Sequence, residues 1–400
     1  MRAEGAAALA RGAWQTIALG YLGLFVFGLI DNVRGPIFPD LIAEYALSDA
    51  RASLFFFVAA AATFANNVVL FGWMGRLGAA RTMGVYSLIQ ALGLVVTGFG
   101  RSYETTLVGS VLVGVSFGGI GIATNVLVAE SAPLHSRRQW LAGLHAMYGA
   151  SSLLGPVWVT LFYGFASGWR APVGWLAAGS VLMSGAALAA NQGRGGGRLT
   201  GSAGRSRTGP ARRPVAAGVY YGLICMCYVG AELAISTRLP LYARREWGYS
   251  AAAANGLLSA FFIGLFAGRF LFAMVRIPWH SRFVLVCSGV NGLVCVVLGL
   301  VHHPGWLAAA GVCLSVFYPA VIALISDEHG PDGTTAFVTS WCITFQALGL
   351  MAMHLGIGGL SDRIGLGRAL WVAPAALLAM LVLVVSRNHV PGLDRQAATE

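Results

Sequence analysis

Lysine is absent from this 400-residue chain: all 26 basic residues are arginine. That excludes any Schiff-base chemistry through a lysine amine. Charge of either sign is scarce, at 10% of residues, where a soluble domain carries roughly a quarter. Cysteine is missing before Cys225. The six present (Cys225, Cys227, Cys287, Cys295, Cys313 and Cys342) fall in apolar stretches without paired metal-ligand spacing. They read as small buried apolar side chains, and no metal site is expected. No segment alternates polar and apolar residues as a barrel strand does, and the first twelve residues lead to no small-residue cleavage site of a removable leader. These shortages, beside 57% hydrophobic residues and a mean hydropathy of +0.72, exclude a soluble enzyme, a nucleic-acid module and a secreted disulfide scaffold. No cofactor is expected.

What is abundant is apolar sequence in blocks of about 20 residues, the length that crosses a hydrocarbon core of ~30 Å. Gly, Pro and charged breaks divide the chain into twelve expected helical spans. They lie near 15–38, 53–74, 82–100, 105–129, 140–165, 171–191, 215–242, 251–275, 282–302, 305–326, 335–358 and 368–386. The expected fold is an all-α membrane protein. Residues 192–214 hold six arginines and almost nothing apolar, so they read as a solvated linker. The organisation that follows is a six-helix bundle over 1–191, a cytoplasmic linker over 192–214 and a second six-helix bundle over 215–400.

Arginine placement orients the spans. With the N-terminus in the cytoplasm, sixteen arginines fall on the cytoplasmic side and seven (Arg51, Arg101, Arg170, Arg244, Arg245, Arg363 and Arg368) on the outer side, with Arg34, Arg238 and Arg269 inside spans. The positive-inside rule then predicts both termini in the cytoplasm. The halves also look related to each other. A shift of 201 lays Asp31 on Glu232 and Pro39 on Pro240, and a shift of 202 lays Ser48 on Ser250 and Asn67 on Arg269. An acid and a proline in one register within a six-plus-six layout is the pattern of a duplicated transporter.

Ionisable groups within a membrane cost several kcal/mol on insertion scales and need a reason. Glu232 lies mid-span in YVGAELAIS with no basic neighbour within one turn. It suits a carboxyl that gains and loses a proton; the alternative is an acid paired permanently with an arginine of another helix. Asp31 and Arg34, at i and i+3, meet on one helix face as a local ion pair. In the rival reading Asp31 and Glu232 face one cavity, and Arg34 binds an anionic solute. Asn32, Asn125, His145 and Gln346 are candidates for the polar lining, and Trp341 and Tyr228 for stacking surfaces. Interhelical hydrogen bonding and packing are the competing roles for each.

The chain resembles the major facilitator superfamily over essentially its whole length. The likeness is carried by NVLVAE at 125–130, GLHAMYGASSLLGP at 143–156, YVGAEL at 228–233, FFIGLFAGRF at 261–270 and LSVFYPA at 314–320. Within that family it looks most like the fucose:proton symporter type. The resemblance implies two six-helix bundles around a central site and a gating loop of pattern G-x-x-x-D-R-x-G after span two. Here Arg76 and Gly78 match that loop, while Phe71 and Gly75 replace its first glycine and its aspartate. An intact copy, GGLSDRIG at 358–365 with Asp362 and Arg363, falls in an expected outer loop after span eleven. The symporter's two proton-linked acids do not carry over: Gly35 and Ile120 stand at those positions.

The expectation is a secondary active transporter of the bacterial inner membrane, working as a monomer. It would move a small polar solute, such as a sugar or organic acid, in company with protons, Glu232 and Asp31 carrying the coupling. A proton-driven exporter of drugs or metabolites and a non-translocating receptor are the alternatives. The partners expected are solute, protons and lipid, without nucleic acid.

Overall fold

The structure, a computed structural model, describes residues 2–133, 137–163, 168–192, 215–275, 279–329 and 334–387. Fourteen helices and no strand are found among them. The helices are α1 (Arg2–Glu44), α2 (Asp49–Leu77), α3 (Ala79–Phe99), α4 (Tyr103–Ser131), α5 (Arg137–Phe162), α6 (Arg170–Gln192), α7 (Val215–Trp247), α8 (Ala251–Met274), α9 (Ser281–Val301), α10 (Gly305–Leu314), α11 (Phe317–His329), α12 (Thr334–Ile364), α13 (Leu366–Ala369) and α14 (Val372–Ser386). Eleven described stretches are long and apolar enough to cross a membrane. The expected span that falls short is α5, whose His145, Ser151, Ser152 and Pro156 dilute its hydropathy. It nevertheless keeps beside α1, from Tyr21, whose hydroxyl donates to the Trp140 carbonyl at 2.7 Å, to Pro36, whose carbonyl accepts from Tyr163 at 3.3 Å.

Several helices run past their expected ends. Proline does not stop α1 at Pro36 and Pro39, α5 at Pro156 or α7 at Pro240; membrane-spanning helices tolerate such interior prolines. The expected outer loop GGLSDRIG is helical as far as Ile364, so Asp362 and Arg363 sit on the last turn of α12 rather than in a loop. The expected single span at 305–326 is divided at Ser315 and Val316 into α10 and α11. Pro319 explains the break: it lacks the amide that would bond to the Ser315 carbonyl one turn earlier. The linker at 193–214 lies outside the described residues.

The chain forms two compact units. One holds Met1–Leu47 with Leu54–Gly204; the other holds Arg205–Glu400 together with Ser48–Ser53, the first turn of α2. In the first unit α1 and α5 pack in parallel. Gly143 lies against Tyr21 and Gly155 against Asn32, where an added Cβ would stand 2.9 Å from the Asn32 Cβ. In the second unit α7 and α12 repeat that seam. Trp341 covers Gly218, Phe345 covers Gly222, and Gly349 takes Met226, so a large side chain meets a glycine every four residues. Within lipid no hydrophobic effect drives helices together, and such small-residue seams supply the contact area instead.

Internal duplication is visible in the local chemistry. Ser48 accepts the Arg51 amide at 3.3 Å and Ser250 accepts the Ala253 amide at 3.2 Å, so the two serines that a 202-residue shift superposes both cap helix N-termini. The same shift lays Ala59 on Phe261, and each is the backbone against which a glycine closes. A Cβ on Gly114 would lie 2.6 Å from the Ala59 Cα, and one on Gly311 would lie 2.9 Å from the Phe261 carbonyl carbon. We therefore expect Gly114→Ala and Gly311→Ala each to destabilise the purified protein by about 1–3 kcal/mol. Gly121→Ala, which meets nothing within 4 Å, should be neutral or slightly stabilising. Thermal unfolding of the three variants in one detergent checks this.

Candidate functional site

Among the described residues, Asp31–Arg34 in the first unit and Glu232–Arg269 in the second are acid–arginine pairs within membrane spans, while Glu44–Arg170, Asp49–Arg245 and Glu328–Arg387 lie at helix ends. In the first unit, Arg34 Nη1 lies 3.2 Å from Asp31 Oδ1, as the i,i+3 spacing anticipates. Its Nη2 donates to the Phe55 carbonyl at 3.2 Å, and the guanidinium lies over the rings of Phe56 at 4.9 Å, Phe55 at 5.2 Å and Phe117 at 6.0 Å. Tyr148 donates to the other Asp31 oxygen at 2.8 Å. Arg34 is 9% exposed, and aromatic faces suit a guanidinium stripped of water. This arrangement fixes Arg34 in a buried cage, while Asp31 stays partly exposed.

The pair in the second unit is looser and stands on the helix break. Arg269, on α8, directs Nη2 toward Glu232 Oε2 at 3.7 Å and donates from Nε to the Ser315 carbonyl at 3.3 Å. That carbonyl is the one Pro319 leaves without its helical donor. Close approach of α8 to the break depends on Gly268, whose Cβ would meet the Ser315 Cβ at 2.7 Å. The neighbouring Leu314 carbonyl accepts from Tyr228 at 3.1 Å. Tyr228 stacks on Phe317, with centroids 4.5 Å apart and planes at 14°, and its hydroxyl also interacts with Glu232 and Arg269. Gln346 and Tyr318 interact beside them, and Arg269 lies within electrostatic reach of Tyr318. The result is a carboxyl that can trade a guanidinium partner for a proton without dismantling the arginine's other anchor.

Of the expected polar lining, Asn32 and Asn125 turn back on their own helices, donating to the carbonyls of Gly28 at 2.7 Å and Gly121 at 2.8 Å. His145 is exposed and Gln346 half-buried. Tyr228 is 1% exposed and held by Phe317 and Leu314, so it serves the break rather than offering an open stacking face. Trp341 seats against Gly218 as a packing residue of the α7–α12 seam. Gly78 begins α3 with φ 77° and ψ 155°, a conformation that is essentially glycine's alone. The Arg76 side chain lies outside the described residues.

Three participants were not singled out from sequence. Tyr148 sits within GLHAMYGASSLLGP, three residues from His145, and a tyrosine there carries no mark of its own. Arg269 is one of three in-span arginines, and its pairing with Glu232 crosses helices, whereas Arg238 lies only six residues from Glu232 in the sequence. Ser315 becomes a partner through Pro319, and counting back four residues from that proline does point to it.

A profile of the Major Facilitator Superfamily matches residues 20–351. The chain belongs to that family of transporters; it is a multi-pass membrane carrier and not an enzyme. Its fold is similar to that of a bacterial homolog of the human lysosomal transporter Spinster in an inward-facing, occupied conformation. There the identity is 13% and the TM-score 0.76, over 97% of this chain and 98% of that one. It is also similar to the peptide transporter POT in complex with sulfate, at 13% identity and TM-score 0.73, over 96% of this chain and 95% of that one. The inward-facing, unoccupied Spinster homolog aligns at 14% identity and TM-score 0.69, over 94% and 95%. A sequence search of curated proteins returned no match.

The caged pair makes a testable claim about stability. Asp31→Asn leaves the Arg34 charge buried without its counter-ion and should cost about 3–5 kcal/mol. Adding Arg34→Met removes that charge and should recover most of the loss. Thermal unfolding of both variants in detergent measures the difference; equal destabilisation by the single and double changes would contradict the cage.

Proposed function

We propose that the chain is a proton-coupled secondary transporter that moves a small polar solute by alternating access, with Glu232 as the proton carrier. The carrying observation is the 3.7 Å Glu232–Arg269 contact at a helix break, where Arg269 keeps a second anchor on Ser315. When Glu232 is ionised, the guanidinium is its counter-ion. When Glu232 is protonated, the Nη groups of Arg269 turn to an anionic or strongly hydrogen-bonding group of the solute. Proton and solute are then linked, because a ligand shifts a conformational equilibrium only through its differential affinity for the two states. Asp31, held by Tyr148 and Arg34, has the supporting role of a charge-neutral anchor in the other unit.

Several finer readings accompany this proposal. The solute is a sugar, an organic acid or a molecule of similar polarity. The short motifs at 125–130 and 143–156 support a likeness to the fucose:proton symporter type, although Gly35 and Ile120 remove that type's acids. The arginine distribution supports both termini in the cytoplasm, in a bacterial inner membrane. The functional particle is a monomer, with 192–214 as the cytoplasmic tether between bundles spanning 1–191 and 215–400.

Proteoliposomes that carry an internal pH dye test the proposal. Sugars, organic acids, amino acids and amphipathic drugs are added one at a time. The expected outcome is acidification of the lumen with one solute class, absent in Glu232→Gln, while that variant keeps non-accumulative exchange of the same solute. Luminal alkalinisation would assign the exporter reading instead. Pronounced pH-driven accumulation by Glu232→Gln would remove Glu232 from the coupling, and binding without tracer flux would favour a receptor.

A further inference from the structure

The cage around Arg34 leaves the third nitrogen of its guanidinium group without a partner. Nη1 reaches Asp31 and Nη2 reaches the Phe55 carbonyl. Nε, in a residue only 9% exposed, finds no hydrogen-bond partner among the described residues. A buried donor on a cation is costly to leave in this state. Protein interiors complete such groups with another protein atom or with an ordered water.

Arg34 also lines a small cavity inside the first unit, between α1, α2, α3 and α4. Its walls are the apolar side chains of Ile37, Phe55, Leu94 and Val113 and two hydroxyl residues, Thr97 and Ser110. All of these are buried. The space open to the centre of a water molecule is about 20 Å³, and about 10–15 Å³ on that measure holds one water. The hydroxyls decide what the occupant can be. Thr97 donates to the Gly93 carbonyl at 2.8 Å and Ser110 donates to the Phe55 carbonyl, so their protons are committed and only lone pairs remain to offer. The Phe55 carbonyl already accepts from both Ser110 and Arg34 Nη2. An occupant must therefore accept one proton from Arg34 Nε and donate to hydroxyl oxygens. A halide accepts but cannot donate, and a metal cation would face the guanidinium charge. Water does both.

We propose that this cavity is the binding site of one water molecule, which accepts from Arg34 Nε and donates to Thr97 and Ser110. The water completes the guanidinium's set of partners and ties α1 to α3 and α4 through one hydrogen-bonded bridge. Gly109 makes room for the Thr97 end, because it packs against that hydroxyl and leaves no space for a Cβ. Arg34 is then a fixed structural cation whose Nε edge is sealed from any solute, and Asp31 is the exposed member of the pair. Every group in the bridge belongs to the first unit, and its presence requires neither a particular solute nor a coupling ion.

The test needs no solute. The full-length protein in detergent receives a brief X-ray pulse, which splits water into hydroxyl radicals that oxidise adjacent side chains, and peptide mass spectrometry reads the yield at each residue. Phe55, Phe38 and Phe261 are all sheltered from bulk solvent, at 3%, 1% and 0% exposure. The yield at Phe55 should exceed the other two about fivefold, because a held water lies within reach of its ring. Val113→Ile adds bulk to the cavity wall and should bring Phe55 down to the level of Phe38. Thr97→Val has nearly the same volume but removes one acceptor. After mixing into water labelled with heavy oxygen, that variant should take the label into oxidised Phe55 about tenfold faster than the parent. A Phe55 yield no greater than that of Phe38 would overturn the bridge, as would exchange in Thr97→Val no faster than in the parent. An equal yield in the parent and Val113→Ile would also overturn it, since the radicals would then arrive through opening of the helices. A thermal-unfolding midpoint that rises with chloride in the parent, but not in Val113→Ile, would assign the cavity to an anion instead.

Discussion

A bilayer interior offers no water to complete a hydrogen bond or solvate a charge, and the rest of this structure follows from that constraint. Among the described residues, each in-span arginine has a protein partner: a carbonyl freed at a helix break, a local acid, or a serine hydroxyl of another helix. Arg269 depends on the carbonyl that Pro319 releases at Ser315. Arg34 depends on Asp31, on the Phe55 carbonyl and on three phenylalanine rings. In water such irregularities would be hydrated and inconsequential. In lipid they decide where a charge can reside.

The two pairs meet this constraint with different degrees of commitment. In the first the arginine is enclosed, while its acid, held by Arg34 and Tyr148, stays partly exposed. The second is open at one side: Arg269 has a permanent anchor on Ser315 and a longer contact with Glu232.

Small residues provide the second constraint. Gly218, Gly222, Gly349, Gly143 and Gly155 let helices meet closely along parallel seams, and Gly268 does the same beside the helix break. Helix contact and charge placement therefore draw on one resource, the absence of a side chain at chosen positions. The glycines at the two turns act differently. Gly78 and Gly365 are needed for their backbone conformation, since nothing lies near enough to contest a Cβ at either.

Much of this was legible in the sequence, because hydrocarbon thickness, apolar composition and the cost of charge are one-dimensional constraints. They determined an all-helical membrane protein, the approximate spans, the acids worth attention and the Asp31–Arg34 pair, whose partners lie within one turn. An acid, a proline and a serine recurring at shifts of 201 and 202 residues also pointed to a duplication. The tertiary structure alone decided the rest. It joined Glu232 to Arg269 across 37 residues of sequence, turned Tyr228 and Trp341 inward as packing groups, and carried α12 through the expected loop so that Asp362 closes α2. These outcomes depend on which helix faces which and at what height. A helix repeats every 3.6 residues, but its rotation and axial offset against a neighbour are set by complementary surfaces that a single strand of sequence does not display.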